Sequence, residues 1–108
     1  MAKIGLIDYG MGNLFSVRQA FKRVNQPLDV ISDVKKLNSC DALILPGVGA
    51  FDPAMSNLKK TDLIPSITNW INNGKPLIGI CLGLQLLFET SDEGNSKGLG
   101  VIKGHIRK

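Results

Sequence analysis

Short apolar runs alternate with segments of helical hydrophobic spacing along the 108-residue chain. Residues such as Gly, Pro and Asn separate these segments, and no repeat or low-complexity stretch interrupts the pattern. Four of the apolar runs are predicted to be strands: Lys3 to Asp8, Leu28 to Ile31, Ala42 to Leu45 and Pro76 to Ile80. Strands that alternate with helices are typical of an α/β domain with a mostly parallel sheet.

Two amphipathic helices are predicted between these strands. The first begins after Asn13, which is a suitable N-cap, and ends before Pro27. The second follows Thr61 and ends at Gly74, where a helix C-terminus favours a residue at positive φ. Their apolar positions have helical spacing: Leu14, Val17, Phe21 and Val24 in the first helix, and Leu63, Ile64, Ile67, Trp70 and Ile71 in the second. Each helix is therefore expected to lay one apolar face on the sheet.

Composition limits the classes of function that the chain can have. Hydrophobic residues make up 44% of it and charged residues 20%, so we expect one globular domain over residues 1–108. The sequence shows neither a membrane span nor a signal peptide, which favours the cytoplasm. The net charge of +4 comes from scattered lysines and arginines, so nucleic-acid binding is not expected. Two cysteines are too few for a disulfide scaffold and lack metal-ligand spacing.

The segment Gly79-Ile80-Cys81-Leu82-Gly83 has the G-x-S-x-G spacing of a nucleophile elbow, with cysteine in the serine position. A sharp turn between strand and helix would expose the thiol, and the helix N-terminus would favour a thiolate. Free cysteine is more often buried and inert, and that interpretation would be preferred for a lone cysteine in a strand. The elbow spacing favours a nucleophile at Cys81, whereas Cys40, in a loop before a strand, is interpreted as structural.

A second glycine-containing loop, Pro46-Gly47-Val48-Gly49, directly follows the third predicted strand. Loops at the carboxyl ends of parallel strands gather at one edge of a sheet, so this loop and the elbow can meet there. A nucleophile that attacks an amide needs donors for the developing oxyanion. The backbone N–H groups of Val48 and Leu82 can supply them, although the loop taken alone would be interpreted as an ordinary turn.

Four segments together resemble a known family: DYGMGNLFSVRQAF (Asp8 to Phe21), LPGVGAF (Leu45 to Phe51), GICLGLQLLFE (Gly79 to Glu89) and GLGVIKG (Gly98 to Gly104). The GxCxGxQ pattern resembles the triad, or class I, glutamine amidotransferases. The YGMGN opening is similar to the glutaminase subunit of imidazole glycerol phosphate synthase, which acts in histidine biosynthesis. The resemblance implies a flavodoxin-like fold, with strands in the order 2-1-3-4 and helices on both faces.

The resemblance also implies roles for residues. Cys81 would form a glutamyl thioester, with Val48 and Leu82 in the oxyanion hole. The substrate glutamine would be held by Gly47, Gly49, Gln85 and Glu93. The side chains of Gln85 and Glu93 are chemically suited to this role. Gln85 lies one helical turn beyond the cysteine and can hydrogen-bond a polar ligand, and Glu93 offers a carboxylate for an ammonium group. Both side chains would be merely solvated in most proteins. No metal and no organic cofactor is implied.

The Gly10-Met11-Gly12-Asn13 loop has two interpretations. Glycines between a first strand and a helix are found in dinucleotide-binding loops, but Phe15 stands where that motif has its third glycine, so a nucleotide is not expected. In the resembled family this loop lies near the synthase partner, a (β/α)₈ barrel that receives the ammonia. Met11 and Asn13 are therefore candidate interface residues of a heterodimer with this cyclase subunit.

One part of the family pattern is not matched. Cysteine amidotransferases use a histidine base oriented by a carboxylate, and the resemblance places that pair near the C-terminus of a chain about twice as long. The histidine of this sequence, His105, falls in a predicted strand, Val101 to Arg107, without a triad role. We therefore expect the N-terminal part of a glutamine amidotransferase domain, truncated after the elbow and inactive alone.

Other functions stay open at this point. The chain could be a non-catalytic module that docks on the barrel or associates with itself, because an early end of the sheet would leave an unpaired edge. A cysteine hydrolase outside the amidotransferases is the third alternative. Gln85 and the PGVG loop argue against it.

Overall fold

The computed structural model describes residues 2–11, 13–92, 94 and 97–107. Its strands are β1 (Ile4–Ile7), β2 (Leu28–Ile31), β3 (Ala42–Leu45), β4 (Leu77–Gly79), β5 (Phe88–Ser91) and β6 (Ile102–Ile106). Its helices are α1 (Leu14–Lys22), α2 (Val34–Asn38), α3 (Phe51–Lys59), α4 (Leu63–Asn72) and α5 (Leu82–Leu86).

The first four strands form one parallel sheet in the order β2-β1-β3-β4. Strand β1 pairs with both β2 and β3, so that Gly5 lies opposite Asp29 on one side and Leu43 on the other. Strands β5 and β6 form a separate parallel pair. The predicted α/β class and the predicted strand order are thus confirmed.

The sheet has a hydrophobic cluster on each face. On one face Leu6, Leu28 and Ile44 are buried beneath half-buried side chains of α1. The opposite face is covered by α2, α3, α4 and α5, whose buried side chains pack on Ile7, Ile31, Leu43 and Leu45. Apolar side chains are buried on both faces of the strands, as expected of a parallel sheet between two helical layers.

The residues that cap the helices agree in part with those predicted from the sequence. Asn13 is the N-cap of α1, and its Oδ1 accepts a hydrogen bond from Ser16 N at 3.0 Å. Helix α4 begins one residue later than predicted, with Asp62 at the N-cap, although Thr61 Oγ1 still accepts from Leu63 N at 3.2 Å. Gly74 has φ of +74° just beyond this helix, which confirms its predicted positive φ.

Other boundaries differ from the prediction. Helix α1 ends at Lys22, so Val24 lies outside it and is 71% exposed instead of continuing the apolar stripe. The apolar run after Cys81 does not stay helical, since Phe88 already belongs to β5. Helices α2 and α3 were not predicted.

Strand β4 borders the described part of the four-stranded sheet. Its middle residue, Ile78, lies beside the buried Ile44 of β3 but is 52% exposed, because α1 does not extend over it. None of the helices in the described residues is long and apolar enough to cross a membrane.

Candidate active site

A tight turn joins β4 to α5 and places Cys81 at its first central position. Gly83 N donates to Ile80 O at 2.9 Å, which closes a four-residue β-turn. Cys81 has φ of 56° and ψ of −125°, the values of a type II′ turn, where glycine is the preferred residue. A non-glycine residue in such a conformation costs about 1–3 kcal/mol and is a recurrent feature of functional sites. The elbow predicted from the glycine spacing is therefore present as a strained turn, with the cysteine exposed.

Close backbone contact explains the glycine two residues after Cys81. A β-carbon built on Gly83 would overlap the carbonyl oxygen of Leu45, and would lie 2.7 Å from the carbonyl carbon of that residue. These atoms belong to the end of β3, a buried strand that has little room to move. Gly83 thus lets the start of α5 rest directly on β3, and this contact fixes the position of the elbow.

The loop after β3 lies against the same turn. A β-carbon on Gly47 would lie 2.7 Å from Gly83 N and 2.9 Å from Leu82 Cβ. Tyr9 contacts this loop as well, because its hydroxyl lies 2.9 Å from the same β-carbon position and donates a hydrogen bond of 2.6 Å to the Pro46 carbonyl. Burial raises the pKa of Tyr9 to about 12, so its hydroxyl keeps its proton at neutral pH. The expectation that the elbow and the PGVG loop meet is therefore met in the structure.

The backbone N–H groups of Val48 and Leu82 have no acceptor among the described residues. Leu82 is the first residue of α5, and the first N–H groups of a helix have no partner within the helix. The Cys81 side chain makes no capping hydrogen bond to them. Two donors at the elbow and the neighbouring loop are thus available to an external oxygen atom.

A cleft of about 510 Å³ opens at this place, and Cys81 lines it. Several of the residues predicted for the site also line it: Asn13, Gly47, Val48, Gly49, Leu82 and Gln85. No charged side chain is among the cleft-lining residues that the structure describes. Gln85 Oε1 is buried and has no hydrogen-bond partner within the described part of the chain. Buried acceptors are normally satisfied, so this oxygen calls for a donor from outside the described residues.

The remaining predicted residues are placed as follows. Met11 is half-buried and packs against the core, with its Cε 3.5 Å from the position of a β-carbon on Gly49. Asn13 is exposed, but its side-chain oxygen already caps α1. Glu93 lies outside the described residues. No group of His, Cys, Asp and Glu side chains suited to a metal ion occurs in residues 2–11, 13–92, 94 and 97–107.

Tyr9 and Ser16 were not predicted to belong to the site. Ser16 lines the cleft from the first turn of α1. Tyr9 is the single tyrosine of the chain. It directly follows the first predicted strand, Lys3 to Asp8, at the edge of the sheet where the other loops meet. That position was the available signal, but the YGMGN segment was interpreted only through its glycines, Met11 and Asn13, and Tyr9 was given no role.

We expect Cys81 to react with limiting iodoacetamide at neutral pH at least roughly tenfold faster than Cys40. Cys81 is exposed, whereas Cys40 is 6% exposed and its Sγ lies 3.4 Å from the Lys36 carbonyl. Burial raises the pKa of the Cys40 thiol, an effect that Lys3 opposes, so less of its reactive thiolate is present at pH 7. Mass mapping of the labelled peptides measures the ratio, and preferential labelling of Cys40 would contradict the exposed elbow.

Comparison with known proteins agrees with this geometry. A family model described as the SNO glutamine amidotransferase family matches residues 11–108. The imidazole glycerol phosphate synthase subunit HisH of Prochlorococcus marinus strain NATL2A is 82% identical over 108 residues, which cover 100% of this chain and 52% of that protein. HisH of Prochlorococcus marinus strain SARG is 69% identical over 104 residues, or 96% of this chain and 49% of that protein.

A solved structure, described as a crystal structure of glutamine amidotransferase, has a TM-score of 0.80 and 19% identity to this chain. The match covers 96% of this chain and 55% of that one, and it concerns the fold alone. The chain spans about half the length of the curated relatives that it matches. The family model covers nearly all of the chain, and we conclude that the chain belongs to the SNO glutamine amidotransferase family.

Proposed function

We propose that this chain carries the nucleophile half of a glutaminase, the glutamine amidotransferase subunit of imidazole glycerol phosphate synthase. The reaction is the hydrolysis of glutamine to glutamate and ammonia. The observation that carries the proposal is the elbow, in which Cys81 is exposed at φ of 56° and shares a cleft with Val48 and Leu82, whose N–H groups have no acceptor in the described part of the chain. The names of the relatives support the choice of synthase.

The chemistry assigned to these residues follows from their positions. The Cys81 thiolate attacks the side-chain amide carbon of glutamine, and the carbonyl oxygen becomes an oxyanion that accepts from Val48 N–H and Leu82 N–H. Collapse of this intermediate breaks the carbon–nitrogen bond, releases ammonia and leaves a glutamyl thioester on the sulfur. Water then hydrolyses the thioester to glutamate and frees the thiol. The proton transfers are assigned to the histidine and carboxylate that the family resemblance places in the second half of longer relatives.

Substrate binding is assigned to the same cleft. Gln85 Oε1, buried and without a partner in the described residues, can accept a hydrogen bond from an N–H group of glutamine. Gly47 and Gly49 line the cleft and are proposed to contact the ligand through their backbone. A role for Glu93 on the α-ammonium group stays a prediction. The neutral lining suits the uncharged amide end of the substrate, and no step of the reaction needs a metal or an organic cofactor.

The partner is proposed to be the (β/α)₈-barrel cyclase subunit, which uses the ammonia. The names of the relatives describe a synthase subunit, which supports a second subunit. Met11 and Asn13 stay proposed interface residues, in a loop that begins at the mouth of the Cys81 cleft. A cytoplasmic location is proposed with this biosynthetic role.

A glutamine analogue that alkylates thiols tests the proposal. We expect the chloromethyl ketone analogue of L-glutamine to label Cys81 at least roughly tenfold faster than its D-enantiomer, since only the L-form can place its carbonyl oxygen between the two N–H groups while its amino-acid end is held. Excess L-glutamine should protect Cys81 from the reagent. Rates are followed by intact-mass spectrometry, with the Gln85→Leu variant as the matched test of binding. Equal rates for the two enantiomers would refute the proposal.

A second candidate function is a non-catalytic module that associates with itself. The observation in its favour is Ile78, an apolar residue that is 52% exposed on β4, the strand that borders the described part of the sheet. A strand edge without a partner invites another chain. This candidate predicts no stereochemical preference at Cys81, so the same labelling experiment separates it from the glutaminase.

A further inference from the structure

Tyr9 connects the first loop of the fold to the loop that carries Val48. It follows β1 and is 5% exposed, and its ring belongs to the larger hydrophobic cluster. Its hydroxyl donates to the Pro46 carbonyl at 2.6 Å, a bond that spans 37 positions in sequence. A buried hydroxyl normally has a hydrogen-bond partner. The partner of Tyr9 is notable for its place, because Pro46 stands two residues before Val48, a candidate oxyanion donor.

The Pro46 carbonyl and the Gly47 N–H belong to one planar peptide unit. A hydrogen bond that fixes the direction of the carbonyl therefore fixes the whole unit. The next peptide unit carries the Val48 N–H, and it is joined to the first through Gly47, the residue type with the widest choice of backbone angles. An external constraint on the first unit narrows the orientations that are open to the second.

The same loops touch at a second point. Asp8 Oδ1 accepts from Gly10 N at 3.1 Å, and Gly10 has φ of +86°. Met11 then brings its Cε to within 3.5 Å of the β-carbon position of Gly49. The segment from Tyr9 to Met11 thus contacts the PGVG loop at both of its ends.

We propose that Tyr9 is a positioning residue of the glutaminase site, whose hydroxyl holds the peptide units of the PGVG loop so that the Val48 N–H points at the oxyanion. Tyr9 itself touches no reacting atom. The inference rests on the proposed function. It gives a role to Tyr9, the first residue of the YGMGN segment, which was not among the predicted site residues.

The test separates transition-state stabilisation from binding and from the reactivity of the thiol. In the Tyr9→Phe variant we expect the maximal rate of Cys81 alkylation by the chloromethyl ketone of L-glutamine to fall by about tenfold, because a misdirected oxyanion donor stabilises the attack less. The thiolate displaces chloride in this reaction and forms a thioether. The half-saturating concentration of the ketone should stay within about twofold of the wild-type value. The rate with iodoacetamide should not change, since that reagent does not use the donors.

Trp70→Phe is the matched control. Trp70 Nε1 also donates to a proline carbonyl, Pro76 O at 2.8 Å, but this bond lies before β4, at the end of the strand away from the elbow. The control loses an aromatic donor and some packing and should keep the wild-type rate. If Tyr9→Phe and Trp70→Phe lower the alkylation rate equally, or if Tyr9→Phe slows iodoacetamide as much as the ketone, Tyr9 acts only through stability and the inference is wrong.

A spectroscopic measurement keeps the inference testable even where Tyr9→Phe folds poorly. The chain has one tyrosine, so growth on 3-fluorotyrosine places a single fluorine at position 9 and retains the hydroxyl. We expect this protein to keep the wild-type alkylation rate, and its ¹⁹F resonance to shift when the ketone occupies Cys81. An unshifted resonance would overturn the role of Tyr9. Absence of selective labelling in the wild-type protein would instead refute the proposed function itself.

Discussion

Replacement of Gly83 by alanine is expected to lower the free energy of unfolding by about 3 kcal/mol or more, the upper range for overpacking in a core. The new β-carbon would overlap the Leu45 carbonyl. The β-carbon is attached directly to the main chain and the carbonyl belongs to it, so no side-chain rotation can relieve the overlap. The total free energy of unfolding of a domain of this size is about 5–15 kcal/mol, so the loss is a large fraction of its stability. Urea denaturation followed by the fluorescence of Trp70, the single tryptophan, measures the change.

Gly74→Ala is the control for this variant. Gly74 has a positive φ, +74°, whereas Gly83 lies within helix α5, and no atom lies within 4 Å of the β-carbon position of Gly74. Only backbone strain is added there, which costs about 1–2 kcal/mol. Equal losses in the two variants would show that close contact with β3 is not the reason for glycine at position 83.

Cys81→Ser is expected to abolish glutaminase activity, with a loss of about 10⁴-fold or more, because the members of a catalytic triad act as a unit and a serine hydroxyl is a weaker nucleophile than a cysteine thiol. The assay combines this chain with the C-terminal half of a full-length relative and the cyclase subunit, and measures release of glutamate. The 108 residues alone are expected to give only the background rate, because the catalytic base is assigned to the second half.

The matched control in that assay is Cys40→Ser. Cys40 is buried beside α2 and does not line the cleft, so its variant should keep activity within a fewfold of the wild type. Activity that survives Cys81→Ser would refute the assignment of the nucleophile. Glutamate released by the 108-residue chain alone, and lost in Cys81→Ser, would point to His105 as the base.

The strands of the sheet could be predicted almost to the residue, and the reason is physical. Strands β2 and β3 are short runs with apolar ends, bounded by Pro27 before β2 and by Pro46 after β3, and the predicted bounds match the structure. Helix α3 has an equally clear pattern, since Phe51, Ala54, Met55 and Leu58 are all buried. It was missed because Pro53 suggests a break, although proline is tolerated in the first turn of a helix.

The site could be predicted only in part for a different reason. The glycine spacing around Cys81 indicates a local backbone turn, and such a turn can be predicted from a single segment of sequence. The hydrogen bond from Tyr9 to Pro46 joins residues 37 apart, and no local pattern encodes it. The short length of α5 is likewise set by the pairing of β5 with β6, which draws Phe88 into a strand.

The backbone conformation of Cys81 also bears on how the sequence at this position can change over time. Glycine would relieve about 1–3 kcal/mol of strain at φ of 56° and would lose about 0.5–1 kcal/mol through its greater freedom in the unfolded chain. Selection for abundance or heat resistance alone would therefore favour glycine at position 81, and selection for the proposed glutamine hydrolysis would oppose it. A variant library screened for stability without an activity assay would therefore enrich a substitution that removes the nucleophile.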